Sequence, residues 1–186
     1  MATAKKLFAQ KGYDATSMDE IALQNNVPKS LIYYHFKNKE DLLQAVIELF
    51  FLEYEQVLRS DNQENNKMGD FLGFLENNSD FLHVILTESL KKNNTASYAF
   101  KVIELLLKFE SESSDNKDLA DYSKNHQRWV AEFFTSVIPC VLFTCYKRKW
   151  CDHFNTDEKT FEQDFISAYW MTHGEYHKKL VEKEKY

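Results

Sequence analysis

Two histidines stand out in this sequence as possible ligands for a metal ion. His173 and His177 lie four residues apart, which places both imidazoles on one face of a helix. Other side chains able to bind a metal are Cys145, Cys151 and His153. The sequence contains no CxxC pair, and the nearby Glu175 points away from the histidine pair. We therefore expect ordinary surface histidines and buried reduced thiols, with no metal site and no cofactor.

Catalytic patterns are missing from the sequence. We find no carboxylate pair suited to acid–base catalysis, no nucleophile elbow and no glycine-rich loop for phosphate. The prediction is a protein that is not an enzyme.

The elements that position the binding residues are predicted to be helices. Four Gly and two Pro among 186 residues are too few for a turn-rich β-sandwich or a glycine-loop nucleotide fold. Long stretches rich in Leu, Lys, Glu and Phe contain few helix breakers. We predict an all-α fold of about nine helices. After four N-terminal helices, the others are expected at about 67–77, 80–92, 95–112, 119–149 and 157–184.

The first 36 residues have the pattern of three short helices. Gly12 closes the first helix, and Ser17-Met18-Asp19-Glu20 forms a capping box that opens the second. Asn26 tolerates the left-handed conformation of a tight turn, and Pro28 suits the start of the third helix. Two short helices joined by such a turn are typical of a helix-turn-helix.

The segment LFAQKGYDATSMDEIALQNNVPKSLIYYHFKNKEDLL resembles the N-terminal signature of the TetR (tetracycline-repressor) family of transcriptional regulators. The matching pieces are LFAxxGYxAT, the IA of the second helix, and VxKxxIYYHFxNKEDLL. The family's first helix usually starts several residues earlier, and Asn26 and Pro28 replace a more common Gly and Ser. The resemblance implies a helix-turn-helix DNA-binding domain at residues 1–45, followed by a helical effector-binding and dimerisation domain at residues 46–186.

The third helix is the predicted recognition helix. A recognition helix presents its first residues to base edges in the major groove, where Lys29 can donate to guanine and Leu31 can contact a thymine methyl. The predicted base-reading residues are Pro28, Lys29, Ser30, Leu31 and Tyr33. Family analogy places phosphate contacts at Thr16, Ser17, Tyr34, His35 and Lys39. Two alternatives stay open: Tyr33 is mainly a packing residue, and Ser17 is only a helix cap.

The charge distribution agrees with a DNA-binding head. The net charge of the chain is −6, but residues 1–39 carry +3 and residues 40–186 carry −9. A basic head on an acidic body can approach phosphates with one face only. The predicted partner is double-stranded operator DNA.

The last two helices are the predicted dimer elements, by analogy with the family. Their apolar content supports this prediction, because a helix that is apolar nearly all round must be buried by something. The predicted homodimer interface consists of Phe134, Val137, Ile138, Val141, Leu142, Phe165 and Tyr169.

A small effector is expected to bind among the middle helices, as in the family. With 15 Phe and 10 Tyr in the chain, a hydrophobic or planar ligand is favoured. The candidate pocket residues are Phe71, Phe74, Phe81, His83, Tyr98, Phe100, Trp129 and Phe133. The alternative for each of them is an ordinary place in the core.

We expect a cytoplasmic repressor that a ligand releases from its operator. No signal peptide is visible, and the apolar run at residues 129–146 has too short a charge-free part to span a membrane. One alternative is a DNA-binding structural protein without an effector. Another is a regulator that senses a metal or redox state through Cys and His.

Overall fold

A computed structural model describes residues 1–59, 67–91, 98–113 and 117–183. Within these ranges the chain forms nine helices and no strand, which confirms the all-α prediction. The first seven helices are α1 (Ala2–Lys11), α2 (Met18–Gln24), α3 (Lys29–His35), α4 (Lys39–Arg59), α5 (Lys67–Asn77), α6 (Ser79–Ser89) and α7 (Tyr98–Ser113). A short 3₁₀ turn (Lys117–Ala120) precedes α8 (Tyr122–Phe154) and α9 (residues 158–183). The predicted segment ends at residues 92, 95 and 184 lie outside the described residues.

The chain divides into two compact units, Met1–Lys101 and Val102–Tyr186. The predicted functional boundary after residue 45 falls inside α4, so this long helix would belong to both functional domains. That functional division stays a prediction.

The end of α1 is shaped by a glycine. Gly12 has φ 82° and ψ 163°, a conformation that is nearly restricted to glycine, and its N–H donates to the Phe8 carbonyl. The next helix begins at the predicted cap, where Ser17 Oγ accepts from the Glu20 N–H at 3.1 Å. The Glu20 carboxylate pairs with Lys11 instead of returning to the cap, so α1 and α2 are joined by an ion pair.

The turn between α2 and α3 has the predicted geometry. Asn26 is left-handed with φ 52°, and the Val27 N–H donates to the Ala22 carbonyl at 3.1 Å. Pro28 stands at the N-cap of α3. Only Ile32 of α3 is buried, so a single side chain anchors this helix in the core.

α4 connects the three short helices with the rest of the first unit. Asn38 Oδ1 accepts from the Asp41 N–H at 2.8 Å, so Asn38 caps the start of α4. The buried face of α4 packs against α1 and α5. It consists of Leu42, Leu43, Val46, Ile47, Phe50, Phe51 and Tyr54.

The second unit is built mainly from α8 and α9, and each of these helices contains one wider π turn. In α8 the π turn spans Phe133–Val137, and in α9 it spans Trp170–Gly174. The two π turns contact each other. Single π turns insert one extra residue into a helix and often mark functional sites.

Among the described residues, α8 is also the one helix long and apolar enough to cross a membrane by length and composition. Of its most apolar 18-residue window, 39% is buried inside the protein. A single helix of this kind is weak evidence, because core helices have the same composition.

Two glycines provide a test of the local backbone. Gly12→Ala should lower the free energy of unfolding by about 1–3 kcal/mol, because an alanine is strained at φ 82°. Gly73→Ala is the matched control: its added methyl meets no atom within 4 Å inside α5, and it should raise stability by about 1 kcal/mol. Urea denaturation followed by circular dichroism measures both changes. Equal effects of the two substitutions would contradict the assignment of Gly12.

Candidate nucleic-acid interface

The outward surface of α3 is the candidate interface. Apart from Ile32, every side chain of this helix is exposed, and so is Pro28 before it. The exposed set is Pro28, Lys29, Ser30, Leu31, Tyr33, Tyr34 and His35. All predicted contacts on α3 and at its N-cap are therefore accessible to a groove, while Ile32 fixes the helix from below.

Lys29 is held in place at the start of this surface. Its Nζ lies 2.5 Å from Asp19 Oδ1 and 5.6 Å from the centre of the Tyr33 ring. The hydrogen bond to Asp19 raises the pKa of Lys29, so the ammonium is firmly protonated. An exposed pair of this kind contributes little to stability, so Lys29 can leave Asp19 for a base at small cost. Tyr33 is exposed, which favours the contact role over the packing role.

Ser17 is a helix cap, and its predicted phosphate contact stays a prediction. Its Oγ accepts from the Glu20 N–H, which confirms the cap, and the side chain is exposed. Because capping uses a lone pair of the oxygen, the hydroxyl proton remains available to a phosphate.

Thr16 differs from the prediction. Its side chain is 1% exposed, and its hydroxyl donates into the turn, 2.9 Å from the Gly12 carbonyl and 3.3 Å from the Leu7 carbonyl. The hydroxyl satisfies carbonyls at the end of α1 and is closed to a phosphate. The sequence pattern missed this role because a threonine before a cap suits either position.

Lys39 also differs from the prediction. Its ammonium donates to three backbone carbonyls of the turn between α1 and α2, and it lies 4.3 Å from the centre of the Tyr13 ring. The acceptor oxygens belong to Tyr13, Asp14 and Thr16, at 2.8, 3.3 and 2.9 Å. All three protons of the ammonium are used. In this structure Lys39 ties the start of α4 to the turn and is not free to bind phosphate.

A second lysine reaches the same turn from α6. Lys91, just beyond the end of α6, contacts Asp14 at 3.0 Å and Glu88 at 2.8 Å. Its Nζ also lies 5.4 Å from the Tyr13 ring, so this ring contacts two ammonium groups. Lys91 and Asp14 are 77 residues apart, and no local pattern signals their contact.

Lys5 joins α1 to both α4 and α6. Its Nζ lies 2.7 Å from Glu53 Oε2 and 5.7 Å from the ring centres of Phe50 and Phe81. One cation therefore contacts three side chains on two other helices. A shift of α6 would change the contacts of Lys5 with both α6 and α4.

Comparison with known proteins identifies this arrangement. Residues 1–46 match the family described as bacterial regulatory proteins, tetR family. The N-terminal domain belongs to the TetR family.

Two relatives that the chain matches over part of its length carry the name biofilm operon icaADBC HTH-type negative transcriptional regulator IcaR. The one from Staphylococcus epidermidis is 33% identical over 69 residues, which is 37% of each chain. The one from Staphylococcus aureus strain Newman is 32% identical over 66 residues, which is 36% of each chain. The chain thus matches little more than a third of the length of these relatives. No solved structure gives a significant match.

The predicted pocket residues differ in their contacts and burial. Phe71, Phe74 and Phe81 pack around Phe50 and Tyr54 of α4, with ring centres 5.0–5.9 Å apart. The others differ in burial: Tyr98 is buried, His83 and Phe100 are exposed, and Trp129 and Phe133 are half-buried. His83 Nδ1 lies 2.9 Å from the Ser79 carbonyl, and Trp129 Nε1 donates to the Leu119 carbonyl at 3.0 Å. The predicted set belongs to both compact units, and Phe71, Phe74 and Phe81 have ordinary core contacts.

The predicted dimer residues also differ from one another in burial. Phe134 and Leu142 are exposed, whereas Val137 and Val141 are buried inside their own unit. Ile138, Phe165 and Tyr169 are half-buried. Further apolar side chains on α8 and α9, outside the predicted interface set, are also exposed: Val130, Tyr146, Trp150, Phe154, Trp170 and Met171.

The predicted surface position is wrong for His173, which is 3% exposed because it packs against α8. The histidine pair also has a partner that sequence reasoning missed. Glu132 of α8 is 1% exposed and lies between His173 and His177 of α9, with oxygen-to-Nε2 distances of 3.2 and 2.9 Å. Burial acts to raise the pKa of Glu132, but its contacts with both histidines and Arg128 outweigh burial and lower the pKa to about 2. Its carboxylate is therefore ionised at neutral pH.

The cysteines are buried free thiols, as predicted. Burial raises the pKa of Cys140 to about 12, and it also raises the pKa of Cys145 and Cys151. A raised pKa lowers the thiolate fraction, which is the opposite of what a redox-sensing thiol needs.

The structural role of Lys39 can be tested against its neighbour Lys37. Lys39→Ala should lower the free energy of unfolding by about 2 kcal/mol, because three carbonyls lose a charged donor. Lys37→Ala removes an exposed lysine and should change it by less than about 0.5 kcal/mol. Guanidinium denaturation measures both. If Lys39→Ala is as stable as Lys37→Ala but reduces the salt dependence of DNA binding, the phosphate contact is restored as its role.

Proposed function

We propose that this protein is a cytoplasmic, DNA-binding transcriptional repressor that acts as a homodimer and responds to a small ligand. The observation that carries the proposal is the exposed surface of α3 within a TetR-family domain. A helix held by one buried side chain, with all its others exposed, is suited to enter the major groove. Repression is favoured because both relatives are named negative transcriptional regulators.

Contacts to DNA divide between bases and phosphates. Pro28, Lys29, Ser30 and Leu31 lie at the start of α3 and read base edges, with Tyr33 one turn later. The phosphate contacts come from the exposed side chains of Ser17, Tyr34 and His35. The Thr16 and Lys39 side chains act beneath this surface, by keeping α2 and α4 at fixed positions around the reading helix.

A homodimer gives this small reading head its affinity. One helix-turn-helix reads a half-site, and two heads at a fixed spacing read a palindrome. The exposed apolar side chains of α8 and α9, including Phe134 and Leu142, are the surface proposed to meet a second copy. Exposed apolar patches of this kind mark protein interfaces.

A hydrophobic or planar effector is proposed to act through the aromatic cluster around α4. Phe74 and Phe81 pack on Phe50, and Lys5 of α1 contacts Phe50 and Phe81. A ligand that separated these rings would move α6 relative to α1 and α4. The head would then take a second position, and the ligand would favour the position that it binds more tightly.

DNA binding provides the direct test. The protein should bind a palindromic stretch upstream of its own gene more tightly than scrambled DNA, with affinity that falls steeply as salt rises. Lys29→Ala should reduce that preference by about 10-fold or more, because a base contact is lost. Lys108→Ala, which removes an exposed charge in the second unit, should leave the preference unchanged. Fluorescence anisotropy over a salt series measures the three proteins.

Equal, weak binding to every DNA tried, upstream regions of neighbouring genes included, would refute a sequence-specific repressor. An unchanged preference in Lys29→Ala would remove that residue alone from the proposed base contacts.

The proposed dimer surface can be disrupted by charge. The double variant Phe134→Glu, Leu142→Glu should sediment as a monomer at micromolar concentration, because carboxylates buried in an apolar interface are strongly unfavourable. Leu52→Glu is the matched control: Leu52 on α4 is 56% exposed, compared with 63% for Phe134, and it lies outside the proposed surface. Analytical ultracentrifugation should find the control dimeric. A wild-type monomer would refute the dimer.

A further inference from the structure

Three potential metal ligands meet between α8 and α9. They are one oxygen of Glu132 and the Nε2 atoms of His173 and His177, and all three atoms lie within 4.8 Å of one another. Glu132 and His173 are buried, while His177 is about one-third exposed. The three ligands therefore line a site that is buried on one side and accessible from the other.

The hydrogen bonds around His173 leave its Nε2 without a proton in the neutral ring. The Thr135 hydroxyl donates to the Ala131 carbonyl at 2.7 Å, so its oxygen must accept from His173 Nδ1 at 2.8 Å. A neutral His173 then turns the lone pair of Nε2 toward Glu132 Oε2, 3.2 Å away. Two acceptors at this distance need a positive charge between them, which is either a proton or a metal ion.

The second carboxylate oxygen of Glu132, Oε1, accepts no hydrogen bond from any described residue. Oε1 lies 2.9 Å from both His177 Nε2 and Arg128 Nε, but it is buried and neither contact has the alignment of a hydrogen bond. Arg128 also contacts Glu110 at 2.9 Å, so its single positive charge is shared by two carboxylates. With neutral histidines the group carries one net negative charge, which favours a cation.

The local helix geometry brings these ligands together. Glu132 directly precedes the π turn of α8, and His173 lies within the π turn of α9. An extra residue in a helix changes the direction of the side chains around it. Both irregular turns therefore occur where the carboxylate meets the imidazoles.

We propose that Glu132, His173 and His177 bind one divalent transition-metal ion, with Zn²⁺ as the fitting representative. Two imidazole nitrogens and one carboxylate oxygen form a known zinc ligand set, with a fourth position left for water or another ligand. Bonds of about 2.1 Å in a tetrahedron place ligand atoms about 3.4 Å apart. The three ligand atoms already lie within 4.8 Å of one another, so a small closing movement brings them to that spacing. Thr135 supplies the outer partner that orients His173. The proposal does not depend on DNA binding.

The test is a metal titration of the full-length protein after chelator treatment. We expect one Zn²⁺ per chain in competition with a chromophoric chelator, together with a higher melting temperature. Co²⁺ in place of Zn²⁺ should give visible d–d bands without the near-ultraviolet charge-transfer band of a thiolate, which separates this site from the cysteines.

Two variants test the proposed ligands, and a third is the control. His177→Ala and Glu132→Gln should each lower Zn²⁺ affinity by about 100-fold or more, because changes to outer partners alone cost about 10–100-fold. His126→Ala removes an exposed histidine elsewhere on α8 and should bind like the wild type. Since Glu132 is buried, His177→Ala keeps the test decisive if Glu132→Gln fails to fold.

Two results would overturn the proposal. The first is a wild-type protein that neither binds Zn²⁺ nor gains stability from it, which would mean that protons on the histidines neutralise Glu132. The second is stoichiometric binding that His177→Ala leaves unchanged, which would place the metal elsewhere.

Discussion

The contact between the Lys39 ammonium and the turn at residues 13–16 holds the N-terminal domain together. Carbonyl groups in a tight turn need hydrogen-bond donors, and the Lys39 ammonium donates to three of these carbonyls. The same ammonium also lies over the Tyr13 ring. The Thr16 hydroxyl satisfies further carbonyls from inside. The reading helix α3 depends on this arrangement, because it contributes only Ile32 to the core and relies on its neighbours for position.

The same turn connects the head to the helices behind it. Lys91 reaches it from the end of α6, and Lys5 connects α1 to rings on α4 and α6. These charged and aromatic contacts are individually weak, and they add to the apolar packing of α1 against α4 and α6.

The second unit uses apolar and polar surfaces for different purposes. Phe134 and Leu142 are exposed on α8 and suit contact with another protein surface, whereas Glu132 is buried on the same helix. A buried carboxylate is costly unless it is neutralised, and it is retained here beside Arg128 and two histidines. The two π turns meet at this group, which makes it the most unusual part of α8 and α9.

The sequence by itself determined the all-α fold, the cap at Ser17, the left-handed turn at Asn26 and the helix-turn-helix. These features follow from local rules, in which a residue type and its near neighbours decide the conformation. The tertiary structure alone decided the roles of Thr16 and Lys39, the burial of Val137 and Val141, and the meeting of Glu132 with His173 and His177. Each of these depends on which side chains from distant parts of the chain occupy the same space, and spacing along one helix contains no information about the neighbouring helix.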